Sequence, residues 1–281
     1  MRYPGGKSKL KKHFMHLFPE DMGSLEYREP FLGGGSVFLS LLEHNNLKSI
    51  WINDVDYSLS CLWTQIIQDP KDLVDLIEKF TPSLESYYDF QASLSDPRAL
   101  TPLQAGFRKL AVHQMSYSGL GERAGGPIGG TTQSSKYAIG CRWSPDRLTK
   151  TINKISKLLS GARVRENRCT SYDFEQLISD NTTKAFLYLD PPYYDKGSAL
   201  YRHSFSEQDH VRMAEKLRTT SNKWILSYDA VNPIEILYGE WANVNKFSAQ
   251  YSITSVKEEG SEDRSGTIKS EFIILPKDTS I

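Results

Sequence analysis

Asp190, Pro191, Pro192, Tyr193 and Tyr194 follow directly on an apolar run, Phe186-Leu187-Tyr188-Leu189. The run reads as a buried strand, and proline cannot continue a central strand because it brings no N–H to the ladder. A carboxylate is therefore fixed where a strand gives out, with stiff carbonyls and flat rings behind it. Such a corner offers hydrogen-bond acceptors at set angles and a face for a planar group. The bland alternative is a strand-ending turn with a solvent-facing acid.

A second group lies upstream, in Glu29-Pro30-Phe31-Leu32-Gly33-Gly34-Gly35-Ser36. Glycines let the backbone turn sharply and approach a ligand, and Ser36 can cap the helix that follows. Asp54 closes the next strand, about twenty residues on, where an acid can accept hydrogen bonds from both hydroxyls of a ribose. Either feature alone reads equally well as a plain turn or a helix cap. Together they favour the floor of a nucleotide-type cofactor site. Gly-Gly-Gly-Ser is not the G-x-G-x-x-G that carries a pyrophosphate on a helix N-terminus. That favours S-adenosylmethionine, which has no phosphate, over a hydride carrier. Its carboxylate needs a cation or an N–H, and Lys7 offers one on the turn Tyr3-Pro4-Gly5-Gly6-Lys7.

These groups need a scaffold, and short apolar runs alternating with helical patterns predict an α/β sheet. Strands are expected near 25–31, 49–53, 162–166, 185–189, 224–228, 243–251 and 271–275. Helices are expected near 9–18, 36–45, 57–68, 71–80, 84–94, 102–114, 145–159, 207–219 and 233–237. The long helical stretch between the second and third strands exceeds one crossover. It predicts an inserted subdomain at 57–160 between catalytic segments 1–56 and 161–281. The middle of the insert is glycine-rich and polar, as expected of an exposed loop or hairpin with a function.

The 281 residues are 39% hydrophobic and 24% charged, which suits a globular chain with a full core. The 34 basic and 34 acidic residues cancel, so binding to a polyanion would need a local basic face. Three scattered cysteines and six histidines show neither a disulfide framework nor a metal-ligand pattern. No apolar stretch reaches the ~20 residues of a membrane span, and no secretory h-region opens the chain. A cytoplasmic protein with no metal and no membrane contact is expected.

Four elements thus stand in order: Tyr3-Pro4-Gly5-Gly6-Lys7, the Glu29–Phe38 glycine segment, Ile52-Asn53-Asp54, and Leu189-Asp190-Pro191-Pro192-Tyr193-Tyr194. This order resembles the Dam-like DNA adenine-N6 methyltransferases (D12 class, alpha group) over nearly the whole chain. The resemblance implies a Rossmann-like sheet of seven strands whose last two form an antiparallel hairpin. It implies S-adenosylmethionine as methyl donor, double-stranded DNA as partner, and a mainly helical recognition insert carrying a hairpin loop. It assigns Tyr3, Lys7, Phe31, Gly33, Gly35 and Asp54 to the cofactor, with Asp173 and Phe174 flanking the cofactor's adenine. Asp190, Pro191, Pro192 and Tyr193 become the catalytic turn, with Asp190 also near the donor's methionine end. A monomer from a bacterial or phage-infected cell, in a restriction-modification setting, is the family-level expectation.

The corner suits that reaction. The N6 amine of adenine is a poor nucleophile because its lone pair is delocalised into the ring. Asp190 and the Pro191 carbonyl can accept its two hydrogens at fixed angles and favour a pyramidal nitrogen. Tyr193 can lie flat on the purine, at about 1–3 kcal/mol per stacked base. A paired adenine must first be flipped out of the duplex, and Phe205 is a further candidate for the pocket wall, though core packing is the commoner fate of such a residue.

The insert is expected to read the DNA. Tyr117 matches a family tyrosine at the flipping site, and Ser118 replaces the asparagine after it. Glu122 stands where the family has a guanine-reading arginine, with Arg123 adjacent. This departure leaves a GATC target open, since a shifted loop could let Arg123 read the guanine instead. Lys136 and Arg142 are expected on the returning arm of a hairpin, and Lys9, Lys11 and Lys12 at phosphates. Two rival readings stay open at this point: amino methylation of another substrate, such as cytosine N4 or RNA, and a DNA-binding protein that keeps the fold without turnover.

Overall fold

The structure, a computed structural model, describes residues 15–20, 22–44, 47–123, 125–159, 166–194, 203–250 and 268–277. Seven strands form one sheet in the order β3-β2-β1-β4-β5-β7-β6. They are β1 (Glu26–Glu29), β2 (Ser49–Asn53), β3 (Glu166–Thr170), β4 (Ala185–Leu189), β5 (Lys223–Asp229), β6 (Ala242–Gln250) and β7 (Ile268–Pro276). The first five pair with one another in parallel, and β7 runs antiparallel to both β5 and β6. Among the described residues the α-helices are α1 (Ser36–His44), α2 (Tyr57–Gln68), α3 (Pro70–Lys79), α4 (Leu84–Ser93), α5 (Pro102–Met115), α6 (Pro145–Leu159), α7 (Phe174–Ser179), α8 (Glu207–Thr219) and α9 (Asn232–Tyr238). This is the expected Rossmann-like α/β architecture. No described helix is long and apolar enough to cross a membrane.

Both faces of the sheet are covered, and β4 shows how. Successive side chains of a strand point to opposite faces. Phe186 and Tyr188 join the core formed with α1, α2, α3 and α6, while Leu187 and Leu189 join the core formed with α7, α8 and α9. A smaller cluster around Tyr87, Val112, Met115 and Ile139 holds α4 and α5 together. Helix α5 lies hard against α2 at Gly106, where a Cβ would come within 2.7 Å of the Leu62 nitrogen.

Strand β1 reads Glu-Tyr-Arg-Glu, yet every residue in it is buried. Its charges are compensated inside. Arg28 donates to Glu26 at 2.7 Å and to the carbonyls of Leu177 and Asp180 at 2.8 and 2.6 Å, closing the C-terminal end of α7. Arg168 reaches Glu26 from β3 at 2.7 Å and stacks on Trp51.

The third strand lies at Glu166–Thr170, downstream of the expected 162–166, whose first four residues fall outside the described ones. Its polar sequence hides it. An edge strand needs one partner, and here backbone pairing with β2 and the Arg168–Trp51 contact take the place of apolar packing. Helix α7 was not anticipated either, since six residues are too few for a periodic signal.

Candidate active site at the sheet switch point

Strands β1 and β4 are neighbours from which the chain departs in opposite directions. In open α/β sheets the crevice outside the carboxyl ends at such a point is where ligands bind. The β1–β4 pairing sets Arg28 opposite Leu187. Phe31 and Asp190 each stand three residues further along, so the glycine turn and the acid corner lie side by side at the carboxyl end of the sheet.

The glycine turn is held from three sides. Leu32 donates its N–H to the Asn53 carbonyl at 2.9 Å, and Gly33 donates to Asp54 Oδ2 at 2.9 Å. Trp63 donates from its indole to the Gly33 carbonyl at 3.0 Å. Gly33 and Gly35 both have positive φ, 49° and 65°. At Gly35 a Cβ would also lie 2.6 Å from the Trp63 ring, so a tryptophan of α2 presses on this glycine.

Asp54 is half-buried at the end of β2. Its second oxygen accepts the Asp56 N–H at 3.0 Å. Each carboxylate oxygen has two lone-pair sites, so both retain capacity for a further donor, as a ribose would supply. Burial, then the nearby charge of Asp56, raises its pKa to about 7. Beside it Asn53 is a residue the sequence reading passed over. Its amide nitrogen donates to the carbonyls of Pro30 and Tyr172, both at 3.0 Å, and its oxygen accepts from Thr170 Oγ1 at 2.7 Å and Tyr172 N at 2.8 Å. One carboxamide thereby joins the ends of β1, β2 and β3. Glu29 was also passed over. It is buried, accepts the Tyr27 hydroxyl at 2.5 Å, and is pushed well above the usual carboxylate range by burial, with Asp190 and Asp54 adding to the effect.

At the acid corner Ser227 of β5 donates to Asp190 Oδ1 at 3.2 Å and lies 3.0 Å from the Tyr188 hydroxyl. Tyr193 donates its hydroxyl to Glu271 of β7 at 3.1 Å, and Tyr194 donates its N–H to Asp229 of β5 at 3.0 Å. Asp229 and Glu271 face each other across the β5–β7 ladder. Two like charges opposed in a sheet are unfavourable, and here each holds part of the corner. Ser227, Asp229 and Glu271 carry no local sequence signal. Only strand pairing brings them to Asp190.

An aromatic wall lines the neighbouring side. Phe31, Phe174 and Phe205 have ring centroids 5.2 to 5.7 Å apart, and His210 packs on Phe205 and Tyr194 at 5.2 and 4.7 Å. His210 contacts the Tyr228 hydroxyl, and burial lowers its pKa to about 4. Asp173 caps α7 through the Glu175 N–H at 2.9 Å. Both of its oxygens also take Arg212 at 3.1 Å, and Arg212 lies over the Phe174 ring at 4.5 Å. Asp173 and Phe174 thus come to this wall, with the acid already engaged and the ring largely enclosed.

The chain after α5 presents Tyr117, 62% exposed, beside Ser118 in a left-handed conformation. An antiparallel bridge between Ser116 and Pro127 closes the loop between them. Tyr88, Gln91, Tyr117, Gly126 and Gly130 line an open cleft of about 770 Å³ there. Lys136 and Arg142 lie beyond the bridge on exposed turns, not on its returning arm. The reason is Gln133, whose side chain donates to the Ile128 carbonyl and accepts the Ile139 N–H, both at 2.8 Å, coiling the chain compactly. Glu122 turns inward to Lys109. Tyr3, Lys7, Lys9, Lys11 and Lys12 lie outside the described residues, as does the side chain of Arg123. No cluster suited to a metal ion occurs among the described residues.

A family model described as D12 class N6 adenine-specific DNA methyltransferase matches residues 3–253. Among curated relatives, the Type II methyltransferase M1.LlaDCHI of Lactococcus lactis subsp. cremoris is 26% identical over 265 residues, covering 88% of this chain and 86% of its own. The Type II methyltransferase M.CviBI of Paramecium bursaria Chlorella virus NC1A is 23% identical over 242 residues, 85% of each chain. M.MjaIII of Methanocaldococcus jannaschii, also a Type II methyltransferase, is 21% identical over 242 residues, 78% of each. The family match takes in the glycine turn, the insert and the Asp190 corner alike, and the chain belongs to the D12 class N6 adenine-specific DNA methyltransferases.

Proposed function

We propose that the protein methylates N6 of an adenine within a specific sequence of double-stranded DNA, with S-adenosylmethionine as donor and the adenine flipped into the crevice. The observation that carries this reading is the placement of the glycine turn and the Asp190 corner side by side at the carboxyl ends of β1 and β4. The crevice fits the donor: Asp54 has acceptor capacity for a ribose, and Gly33, which donates its N–H to Asp54, adds no side chain to the turn. Tyr3, Lys7, Phe31, Asp173 and Phe174 complete its proposed contacts. Bound S-adenosylmethionine supplies an electrophilic methyl group on a sulfonium.

Asp190 accepts one hydrogen of the adenine amine and the Pro191 carbonyl accepts the other. Two fixed acceptors concentrate the nitrogen lone pair on the side facing the donor, and most of the acceleration comes from this positioning. The Ser227 hydroxyl holds Asp190 in place. Tyr193 stacks on the base, its ring anchored through its own hydroxyl to Glu271. After transfer Asp190 is placed to take the surplus amine proton. The segment 57–160 serves as the recognition subdomain, meeting DNA through Tyr117, Ser118, Arg123, Lys136 and Arg142. The Type II designation of the relatives supports a role beside a restriction enzyme.

The test is transfer of labelled methyl from S-adenosylmethionine to unmethylated genomic DNA, followed by modified-base sequencing. N6-methyladenine in one sequence context is expected, and Asp190→Ala should cut kcat at least about a hundredfold. N4-methylcytosine in that DNA, or full activity in Asp190→Ala, would refute the assignment.

A further inference from the structure

Lys109 of α5 is only 2% exposed. Its ammonium meets Asp56 Oδ2 at 2.6 Å and Glu122 Oε2 at 2.7 Å. The crevice chemistry makes no use of it. Apolar residues of similar size often stabilise a fold as well as a buried ion group does, which leaves room for a role beyond stability. Burial would raise both carboxyls, but Lys109 holds Asp56 and Glu122 below their ordinary values, so all three groups are charged.

The two acids belong to different parts of the machine. Asp56 caps α2 by accepting the Leu59 N–H at 3.2 Å, and its own N–H donates to Asp54 Oδ1 at 3.0 Å. Glu122 sits on the short 3-10 turn Gly121–Arg123 inside the loop that Tyr117 opens. Charged hydrogen bonds therefore run from the loop through Lys109 to the Asp56 carboxylate, and the backbone N–H of the same residue meets the proposed ribose acceptor. The path is stiff at each end. Ser60 Oγ lies 2.7 Å from the carbonyls of both Asp54 and Thr170, clamping the first turn of α2 to the strand ends. Gly106 sets α5 directly on the α2 backbone. On the loop side Gly121 donates its N–H to Ser116 Oγ at 2.9 Å, and His113 Nδ1 lies 2.9 Å from the Gly119 carbonyl.

We propose that Glu122 is a positioning residue for the cofactor: through Lys109 and Asp56 it sets the place of Asp54, and it links occupancy of the recognition loop to occupancy of the cofactor crevice. The proposal rests on the reading of Asp54 as ribose acceptor. It also gives the departure at this position a purpose, since a carboxylate turned inward to a buried lysine is not reading a base. Linkage is reciprocal, so DNA on the loop and cofactor in the crevice change each other's affinity by the same factor.

The experiment measures S-adenosylhomocysteine binding by calorimetry to the full chain without DNA, for the wild type, Glu122→Ala, Asp54→Asn and the double variant, each checked by thermal melting. Glu122→Ala is expected to weaken binding about five- to tenfold, and in the Asp54→Asn background to add nothing. Unchanged binding in Glu122→Ala, or full additivity in the double variant, overturns the proposal. Unchanged binding in Asp54→Asn instead brings down the reading of Asp54 itself. Should Glu122→Ala not fold, Glu122→Gln takes its place; it keeps the shape and loses the charge. Binding at least about threefold weaker then supports the proposal and wild-type binding overturns it.

Discussion

Asp54 has the most consequential environment of any single side chain here. Its pKa stands near 7, against an ordinary value of 3.8, because burial and Asp56 both oppose its charge. A folded-state pKa above the unfolded value favours the fold when the proton is on. That contribution is complete below the unfolded value and fades as the pH rises through about 7. Ribose hydroxyls donate, so they prefer the ionised form, and cofactor binding should expel the proton. Affinity for S-adenosylhomocysteine is expected to rise from pH 6 to pH 8 and then level off, with a flat profile in Asp54→Asn; titration calorimetry in buffers of different ionisation enthalpy reads the released proton directly. Asp54, Gly33 and Asp190 were legible in the sequence because prolines, glycines and strand ends punctuate the chain around them. Ser227, Glu271 and Asn53 were not, because their roles arise from strand neighbours far away in sequence.

At the level of elements, β1 and α7 depend on each other through Arg28. Its guanidinium is fully buried, pairs with Glu26, and satisfies carbonyls at the end of α7 that would otherwise face the interior. Arg28→Met leaves Glu26 and those carbonyls without it and should cost about 3–5 kcal/mol, seen as a lowered midpoint in urea unfolding. Glu26 adds an acid-side dependence. Burial works against its charge, but Arg168 and Arg28 prevail and hold its pKa below 4.5. Its stabilising share is present above 4.5 and is lost as the pH falls through the folded value. The apolar strands and the capped helices could be read from periodicity. Strand β3 could not, since at the sheet edge pairing and a cation over a ring stand in for apolar content.

On the scale of the whole molecule, equal numbers of basic and acidic residues leave no net charge to draw it to DNA. Affinity must come from a few local cations. If Lys136 and Arg142 each neutralise a phosphate, Lys136→Ala with Arg142→Ala should flatten the plot of log K against log salt by about two. The methylated sequence itself should stay the same, which filter binding across a salt series and sequencing of the product would check. The α/β sheet followed from the alternation of strands and helices, and its seven-strand Rossmann-like form from the family resemblance. How the insert engages that sheet, with Trp63 against Gly35 and Lys109 beneath Asp56, did not, because such contacts are made across the fold. The lacing of three turns by Asn53 has a mechanical consequence. Lengthening any one of those turns would tug on the other two, so the rim of the sheet yields as one unit, not turn by turn.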